Sequence, residues 1–140
     1  MDSNFVLVAD DDPECREALV ITLRLLGVPV ISAADGVQAL DLAISKRPRL
    51  IFMDLNMPKM DGLEATRAIR RHVEAAEMLV VAMSAHCDGQ RWQAFQSSCA
   101  QSLKKPWALD NLCQILDRYW LRVTHQAVQA RKKVGTARPG

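Results

Sequence analysis

The sequence of 140 residues lacks the features that would mark a membrane or secreted protein. It contains no run of about 18 apolar residues, which is the length that a membrane-spanning helix needs. Acidic residues at positions 2 and 10–12 argue against an N-terminal secretory signal, and we therefore expect a cytoplasmic protein with no membrane partner. With 49% apolar, 24% charged and 5% aromatic residues, the chain fits one globular domain around one core.

The four cysteines follow no pattern that indicates a metal or redox site. Cys15, Cys87, Cys99 and Cys113 form no Cys-x-x-Cys motif, and the sequence has no paired histidines. The sequence therefore predicts neither a zinc centre nor a redox motif. Because free cysteine is among the most buried residue types, we expect reduced thiols that are mostly buried.

Acidic residues are missing from one end of the chain. Residues 1–117 contain all 16 acidic residues, whereas residues 118–140 contain six of the 18 basic residues and no acidic one. We interpret residues 1–122 as the folded domain and residues 123–140 as a flexible basic tail or linker. The tail could also be a nucleic-acid-binding arm. We do not expect direct nucleic-acid binding, because no aromatic or DNA-reading helix pattern accompanies these charges.

Short apolar runs alternate with segments of helical spacing along the chain. The runs predict five strands, at residues 5–9, 28–31, 50–53, 79–83 and around Leu103. Such continuous apolar runs are typical of a parallel sheet that helices cover on both faces, and parallel strands require crossover connections. The sequence therefore predicts an α/β fold, an open three-layer sandwich.

Capping residues indicate where the helices begin and end. Asp12 and Pro13 predict the start of the first helix, and Gly27 predicts its end. The later start signals are Asp35 for the second helix, Asp61-Gly62 for the third, and Pro106 in the first turn of the last.

Polar residues stand where four of the predicted strands end. They are Asp10-Asp11, Asp54, Ser84 and Lys105. Ligands of open α/β sheets bind beyond the carboxyl ends of the strands, so these residues mark the candidate site. Two carboxylates about 4 Å apart repel by on the order of 4 kcal/mol at an effective dielectric constant of about 20. A divalent hard cation such as magnesium would offset this repulsion.

The same residue types suit phosphate chemistry. The Asp54 carboxylate can attack phosphorus as a nucleophile, and a bound metal would neutralise phosphoryl oxygens. Lys105 would supply a point charge, and the Ser84 hydroxyl would donate a hydrogen bond to a phosphoryl oxygen. The product would be an aspartyl phosphate on Asp54.

Four motifs, in this order, resemble the response regulator receiver domain. They are LVADDDPE at residues 7–14, MDLNMPKMDGLEAT at residues 53–66, MSA at residues 83–85 and KKP at residues 104–106. The resemblance runs from about residue 4 to residue 121, and the second motif is most like receivers of hybrid histidine kinases. The family implies a CheY-like, flavodoxin-like fold with a five-stranded parallel sheet in the order 2-1-3-4-5 and five helices.

The resemblance implies a Mg²⁺ site and a phosphoacceptor. It makes Asp54 the phosphoacceptor and a member of the metal site. Asp11 would be a direct ligand, Asp10 a ligand through water, and Asn56 a ligand through its backbone carbonyl. Asn56 would also occupy a position that tunes how fast the phosphate is lost.

The resemblance also assigns the groups that sense the phosphate. Lys105 would contact the phosphoryl group, and we favour it over Lys104 because a proline follows it, as in the family. Ser84 would turn its hydroxyl toward the phosphate. The family often has Tyr or Phe at its switch position, three residues before the position of Lys105, and this chain has Ser102 there. We interpret His86 as a loop side chain at a second position that tunes phosphate loss.

The implied function is a signalling switch rather than an enzyme, although a receiver catalyses its own phosphorylation and dephosphorylation. It would take a phosphoryl group from a histidine kinase or histidine phosphotransfer protein. It would then alter binding to a downstream protein through the surface of the fourth helix, fifth strand and fifth helix. Homodimer formation stays open, and so does the choice between a free single-domain regulator and a receiver excised from a larger protein.

Two other functions compete with this interpretation. A receiver-like module could bind a partner constitutively, without phosphorylation, but the complete acidic set and Lys105 argue against it. An Asp-nucleophile phosphatase is suggested faintly by Asp10-x-Asp12, as in haloacid dehalogenases. Those enzymes need a small hydroxylated residue or valine where this chain has Glu14, and a cap domain for which the chain has no room.

Overall fold

The computed structural model describes residues 5–72 and 78–119, in which strands and helices alternate. The elements are β1 (Val6–Ala9), α1 (Pro13–Leu25), β2 (Val30–Ala33), α2 (Gly36–Lys46), β3 (Leu50–Asp54), α3 (Gly62–His72), β4 (Leu79–Ser84), α4 (Gly89–Ser97), β5 (Gln101–Lys104) and α5 (Leu109–Tyr119). Within these ranges, no helix combines the length and the apolar character needed to cross a membrane. The predicted basic tail at residues 123–140 lies outside the described residues.

All five strands are parallel, in the order β2-β1-β3-β4-β5. The predicted fold and strand order are therefore confirmed. The register aligns the carboxyl ends of the strands, because Ala9 pairs with Met53 and Ser84 pairs with Lys104. The residues that end these strands consequently meet at one edge of the sheet.

Two apolar clusters, one on each face of the sheet, form the core. Leu7 and Ala9 of β1 belong to the cluster that α2, α3 and α4 complete. Val6 and Val8 belong to the cluster that α1 and α5 complete. Successive side chains of a strand point to opposite faces. Both faces are covered, so every residue of β1 is buried, and this explains the uninterrupted apolar run.

The end of α1 explains why β2 begins later than predicted. The N–H of Gly27, which has a φ of 82°, donates to the Arg24 carbonyl, and the N–H of Val28 donates to the Leu23 carbonyl. These two bonds form a Schellman motif. Val28 therefore belongs to the cap of α1, and the prediction that the second strand starts there was wrong; β2 starts at Val30.

Pro106 does not lie in the first turn of the last helix, as the sequence predicted. The Leu112 N–H donates to the Ala108 carbonyl, which is the first helical bond of α5, and the helix begins at Leu109. Pro106 precedes this helix and follows a cis peptide bond with Lys105. The start signals of the first two helices are confirmed, since Asp12 and Asp35 cap α1 and α2 with their side chains.

The expectation of mostly buried thiols was also wrong. None of the four cysteines is in a disulfide, but only Cys113 is buried. Cys87 lies in the β4–α4 loop and is exposed, and Cys15 and Cys99 are partly exposed. Three of the four lie at the ends of elements or in a loop, where backbone position rather than the apolar character of the thiol decides exposure.

Candidate functional site

Three carboxylates meet at the carboxyl ends of β1 and β3. Asp10 directly follows β1 and is 2% exposed, and Asp54 ends β3 and is 4% exposed. Asp11 is exposed to solvent. One carboxylate oxygen from each residue lies within 4.8 Å of those from the other two. The structure thus brings together the three acids that the sequence placed at this edge.

Lys105 joins two of these acids. Its Nζ donates to Asp10 Oδ2 at 2.9 Å and to Asp54 Oδ1 at 3.0 Å, and its side chain is 14% exposed. Its backbone N–H donates to the Ser84 carbonyl at 2.9 Å, which fixes the residue at the end of β4. Lys104, in contrast, is exposed. The structure therefore places Lys105, and not its neighbour, at the acidic cluster.

The charges of the cluster do not balance. Burial and the nearby charge of Asp10 raise the pKa of Asp54 from 3.8 to about 6, and Lys105 only partly opposes this rise. Burial lowers the pKa of Lys105, but the hydrogen bond to Asp10 and the charge of Asp54 outweigh it and raise that pKa above its ordinary value. Three carboxylates around one ammonium group leave an excess of negative charge.

This donor set fits Mg²⁺. The ion prefers oxygen ligands, usually one or two carboxylates, water and phosphate oxygens. The mutual proximity of the carboxylate oxygens of Asp10, Asp11 and Asp54 supplies such ligands, and the excess negative charge favours a divalent cation. Asn56 lies two residues beyond Asp54, and its side chain is exposed. These residues would hold the ion.

Two contacts at the start of α1 fix Asp10. The Asp12 N–H donates to Asp10 Oδ1 at 3.1 Å, and Arg16 Nη1 donates to the Asp10 carbonyl at 2.8 Å. Arg16 was missed by the sequence interpretation. Helical side chains lean toward the N-terminus of their helix, so an arginine in the first turn of α1 can reach back to the strand end. That geometry is the signal that could have identified Arg16.

The loop between β3 and α3 packs tightly against Asp54. The Gly62 N–H donates to the Leu55 carbonyl at 2.8 Å, and a Cβ on Gly62 would lie 2.2 Å from the Asp54 carbonyl oxygen. Asp61 accepts the Glu64 N–H at 2.9 Å and forms an ion pair with Arg91 of α4. Position 62 therefore has a steric requirement, since only glycine fits against the Asp54 carbonyl.

Ser84 lies at the end of β4 and is fully buried. Its Oγ donates to the His86 carbonyl at 3.0 Å and accepts the His86 N–H at 3.1 Å. The hydroxyl is therefore engaged with the β4–α4 loop, while the His86 side chain is exposed. Ser102 of β5 is partly exposed, and its Oγ accepts a hydrogen bond from Gln96 Nε2 of α4 at 3.2 Å.

A cleft of about 320 Å³ lies beside the acidic cluster, between the start of α1 and the segment that follows β5. Asp10 and Lys105 line one part of it, and Trp107 lines another. Cys15, a further lining residue, donates from Sγ to Asp12 Oδ2 at 3.1 Å. This hydrogen bond and burial raise the pKa of Cys15 to about 11, so its thiol stays protonated at neutral pH.

Known proteins share this sequence pattern. The family model of the response regulator receiver domain matches residues 6–117. The chain is similar to the DNA-binding dual master transcriptional regulator RpaA of Synechocystis sp., with 33% identity over 128 residues that cover 91% of this chain and 53% of that protein. It is also similar to response regulator MprA of Mycobacterium sp., with 36% identity over 107 residues that cover 76% of this chain and 46% of that protein. The chain spans about half the length of these curated relatives.

Solved structures share the fold. The receiver domain of sensor histidine kinase PA1611 from Pseudomonas aeruginosa has a TM-score of 0.77 and 32% identity, and the match covers 85% of this chain and 98% of that one. That receiver domain has a magnesium ion coordinated in its active-site cleft. Chemotaxis protein CheY4 of Vibrio cholerae has a TM-score of 0.75 and 28% identity, and the match covers 84% of this chain and 99% of that one.

Proposed function

Because the chain belongs to the response regulator receiver domain family of two-component systems, we propose that it is a phosphoacceptor switch in a phosphorelay. Asp54 takes a phosphoryl group from a phosphohistidine of a histidine kinase or histidine phosphotransfer protein. Phosphorylation changes the binding of a downstream protein partner. The domain comprises residues 1–122, residues 123–140 are a basic tail or linker, and the protein acts in the cytoplasm.

One observation carries this proposal. The Lys105 ammonium group contacts carboxylate oxygens of both Asp10 and Asp54, with Asp11 beside them. A buried carboxylate that must act as a nucleophile needs cations around the reacting group, because a phosphoryl group brings further negative charge. The arrangement supplies one cation from the chain and the oxygen ligands for a second.

The reaction transfers a phosphoryl group between two nucleophiles. An Asp54 carboxylate oxygen attacks phosphorus, the bond between phosphorus and the donor imidazole nitrogen breaks, and the electron pair stays on that nitrogen. Mg²⁺ held by Asp10, Asp11, Asp54 and the Asn56 carbonyl would neutralise charge on the phosphoryl oxygens. Lys105 places its ammonium group against one of these oxygens. Attack of water on phosphorus later releases inorganic phosphate and restores the Asp54 carboxylate.

Ser84 connects the phosphate to the surface of α4, β5 and α5, where the downstream partner would bind. The aspartyl phosphate carries about −1.5 to −2 charge in place of the single charge of the carboxylate, and its oxygens attract hydroxyl donors. To reach it, the Ser84 hydroxyl exchanges its two bonds with the His86 backbone for a bond to a phosphoryl oxygen. The β4–α4 loop then rearranges, and α4 shifts against β5 at the Gln96–Ser102 contact. His86 and Asn56 border the site and tune the lifetime of the phosphate.

The test is intact-mass measurement after incubation with acetyl phosphate or phosphoramidate and Mg²⁺. We expect one added phosphate on the wild type, and none on Asp54→Asn or after chelation of Mg²⁺. The adjacent lysines provide a matched pair. Lys105→Met should lose most of the adduct, whereas Lys104→Met should keep it.

Failure of the wild type to gain a phosphate, even at short times and low temperature, would refute the proposal. The phosphorylation-independent binding module would then be the better explanation. An adduct that persists in Asp54→Asn would refute the assignment of the phosphoacceptor.

A further inference from the structure

β5 is an edge strand of the sheet and pairs only with β4 among the described strands. The Lys105 N–H, directly after β5, donates to the Ser84 carbonyl of β4. N–H groups alternate in direction along a strand, so the Leu103 N–H points the same way. The N–H groups of Ser102 and Lys104 consequently point away from β4, toward the side of β5 on which no described strand lies.

At this edge, side chains form hydrogen bonds to backbone groups that a sixth strand would otherwise bind. The Ser102 N–H donates to the side-chain Oε1 of Gln101 at 3.2 Å. Close by, the Tyr119 hydroxyl donates to the carbonyl of Ala100 at 3.2 Å. Both distances lie at the long end of the hydrogen-bond range. A side chain that bonds to a backbone group at the β5 edge can rotate away and free that group, whereas a strand paired along the edge cannot.

A polar groove of about 300 Å³ runs between this edge and α5. Among the described residues that line it, Lys104 and Arg118 are charged and none is a carboxylate. Gln101, Asn111 and Gln114 contribute amide groups, which can bond the backbone of an extended chain. The groove therefore offers positive charge and hydrogen-bonding groups along an edge of β5 that no described strand covers.

The charge of the groove selects its occupant. Residues 120–140 of this chain carry five basic residues and no acidic one, so their charge does not complement that of the groove. A second copy would bring another Lys104 and Arg118 to the contact and no carboxylate from the described lining, so it would not supply the opposite charge. We propose that the β5 edge and this groove, lined by Lys104 and Arg118, bind an extended acidic segment of a partner protein, which adds to the sheet as a sixth strand.

The acidic segment would belong to the downstream partner. Only the claim that this contact transmits the signal rests on the proposed function. In a strand addition, main-chain hydrogen bonds give affinity and side chains give specificity. The acidic residues of the segment would lie near Lys104 and Arg118. Its backbone would replace the Gln101 and Tyr119 side chains as the hydrogen-bond partners of the Ser102 N–H and the Ala100 carbonyl.

The test uses the full chain and a synthetic peptide of about eight residues in which glutamate and valine alternate. Amide resonances in nuclear magnetic resonance spectra report the site, and titration gives the Kd. We expect binding with shifts at Ser102 and Lys104. A peptide with lysine in place of glutamate should not bind. N-methylation of alternate peptide nitrogens should weaken binding by roughly tenfold, because it removes strand hydrogen bonds.

Charge reversal tests the groove. Lys104→Glu and Arg118→Glu should each weaken binding of the acidic peptide by roughly three- to tenfold. Lys46→Glu, at the end of α2 and outside the groove, is the matched control and should leave the Kd unchanged. Circular dichroism checks that each variant is folded.

Three results would overturn the inference. These are equal binding of the N-methylated peptide, equal weakening by Lys46→Glu, and absence of binding to both the phosphorylated and unphosphorylated protein. Intact mass of the same samples separates the two proposals. A phosphate adduct without peptide binding overturns the strand addition alone, and peptide binding without an adduct overturns the proposed phosphorylation alone.

Discussion

Asp54→Asn should stabilise the metal-free protein, although it removes the proposed phosphoacceptor. Burial and the charge of Asp10 raise the pKa of Asp54 from 3.8 to about 6 in the fold. A shift of this size corresponds to about 3 kcal/mol of destabilisation when the carboxylate is ionised. Asparagine keeps the shape without the charge, and Lys105 retains Asp10 as a partner. We therefore expect a gain of about 2 to 3 kcal/mol in the free energy of unfolding near neutral pH.

The sign of the pH dependence follows from the raised pKa. Above pH 6 Asp54 is ionised in both the folded and the unfolded chain, so its buried charge destabilises the folded state by the full amount. Between pH 6 and pH 3.8 the folded chain holds a proton that the unfolded chain releases, and the cost declines. The advantage of Asp54→Asn should thus be full above pH 6, about half at roughly pH 5, and absent below pH 3.8.

Urea unfolding followed by circular dichroism, with a chelator present, measures this effect. Asp41→Asn, an exposed acid on α2, is the control and should change stability by less than about 0.5 kcal/mol. Added Mg²⁺ should stabilise the wild type and help Asp54→Asn much less, because binding to the folded state alone raises stability. A metal-free Asp54→Asn protein that is less stable than the wild type, or a gain that does not change with pH, would refute the reasoning.

Three further predictions follow from particular contacts. Gly62→Ala should slow phosphorylation and cost about 1 to 3 kcal/mol in urea unfolding, because the new Cβ would lie 2.2 Å from the Asp54 carbonyl oxygen. Thr66→Val should leave stability unchanged or raise it by up to about 1 kcal/mol, since the Thr66 hydroxyl is buried without a hydrogen-bond partner among the described residues. Iodoacetamide should alkylate Cys15 slowly at about pH 8, because its pKa is raised to about 11, and Asp12→Asn should accelerate this reaction, measured by peptide mass mapping.

Each of these predictions has a control and a contradicting result. Gly89→Ala, whose Cβ would meet no atom within 4 Å, should cost only about 1 kcal/mol for its positive φ and keep phosphorylation, and equal stability of Gly62→Ala would contradict the steric argument. A loss of more than about 1 kcal/mol in Thr66→Val would show that its hydroxyl is bonded. The exposed Cys87 provides the fast reference for alkylation, and Cys15 should not react at the same rate.

Sequence alone was sufficient for the fold class and for the neighbourhood of the site. Continuous apolar runs indicated buried parallel strands, and the acids that follow β1 and β3 had to meet at one sheet edge because parallel strands share a direction. The resemblance to receivers supplied the strand order, which the structure confirms. Helix caps were recognised where a local side chain makes the bond, as at Asp12 and Asp35.

Only the tertiary structure decided features that depend on segments far apart in the chain. Lys105 meets Asp10 across 95 positions, and the raised pKa of Asp54 results from burial that no local pattern records. The contact of Gly62 with the Asp54 carbonyl, and the Gln101 and Tyr119 side chains at the β5 edge, likewise depend on packing between elements. Capping residues indicate the hydrogen bonds within a segment, and periodicity indicates which of its faces turns toward the core. They do not determine which atoms of two distant segments touch, because that depends on the assembled layers.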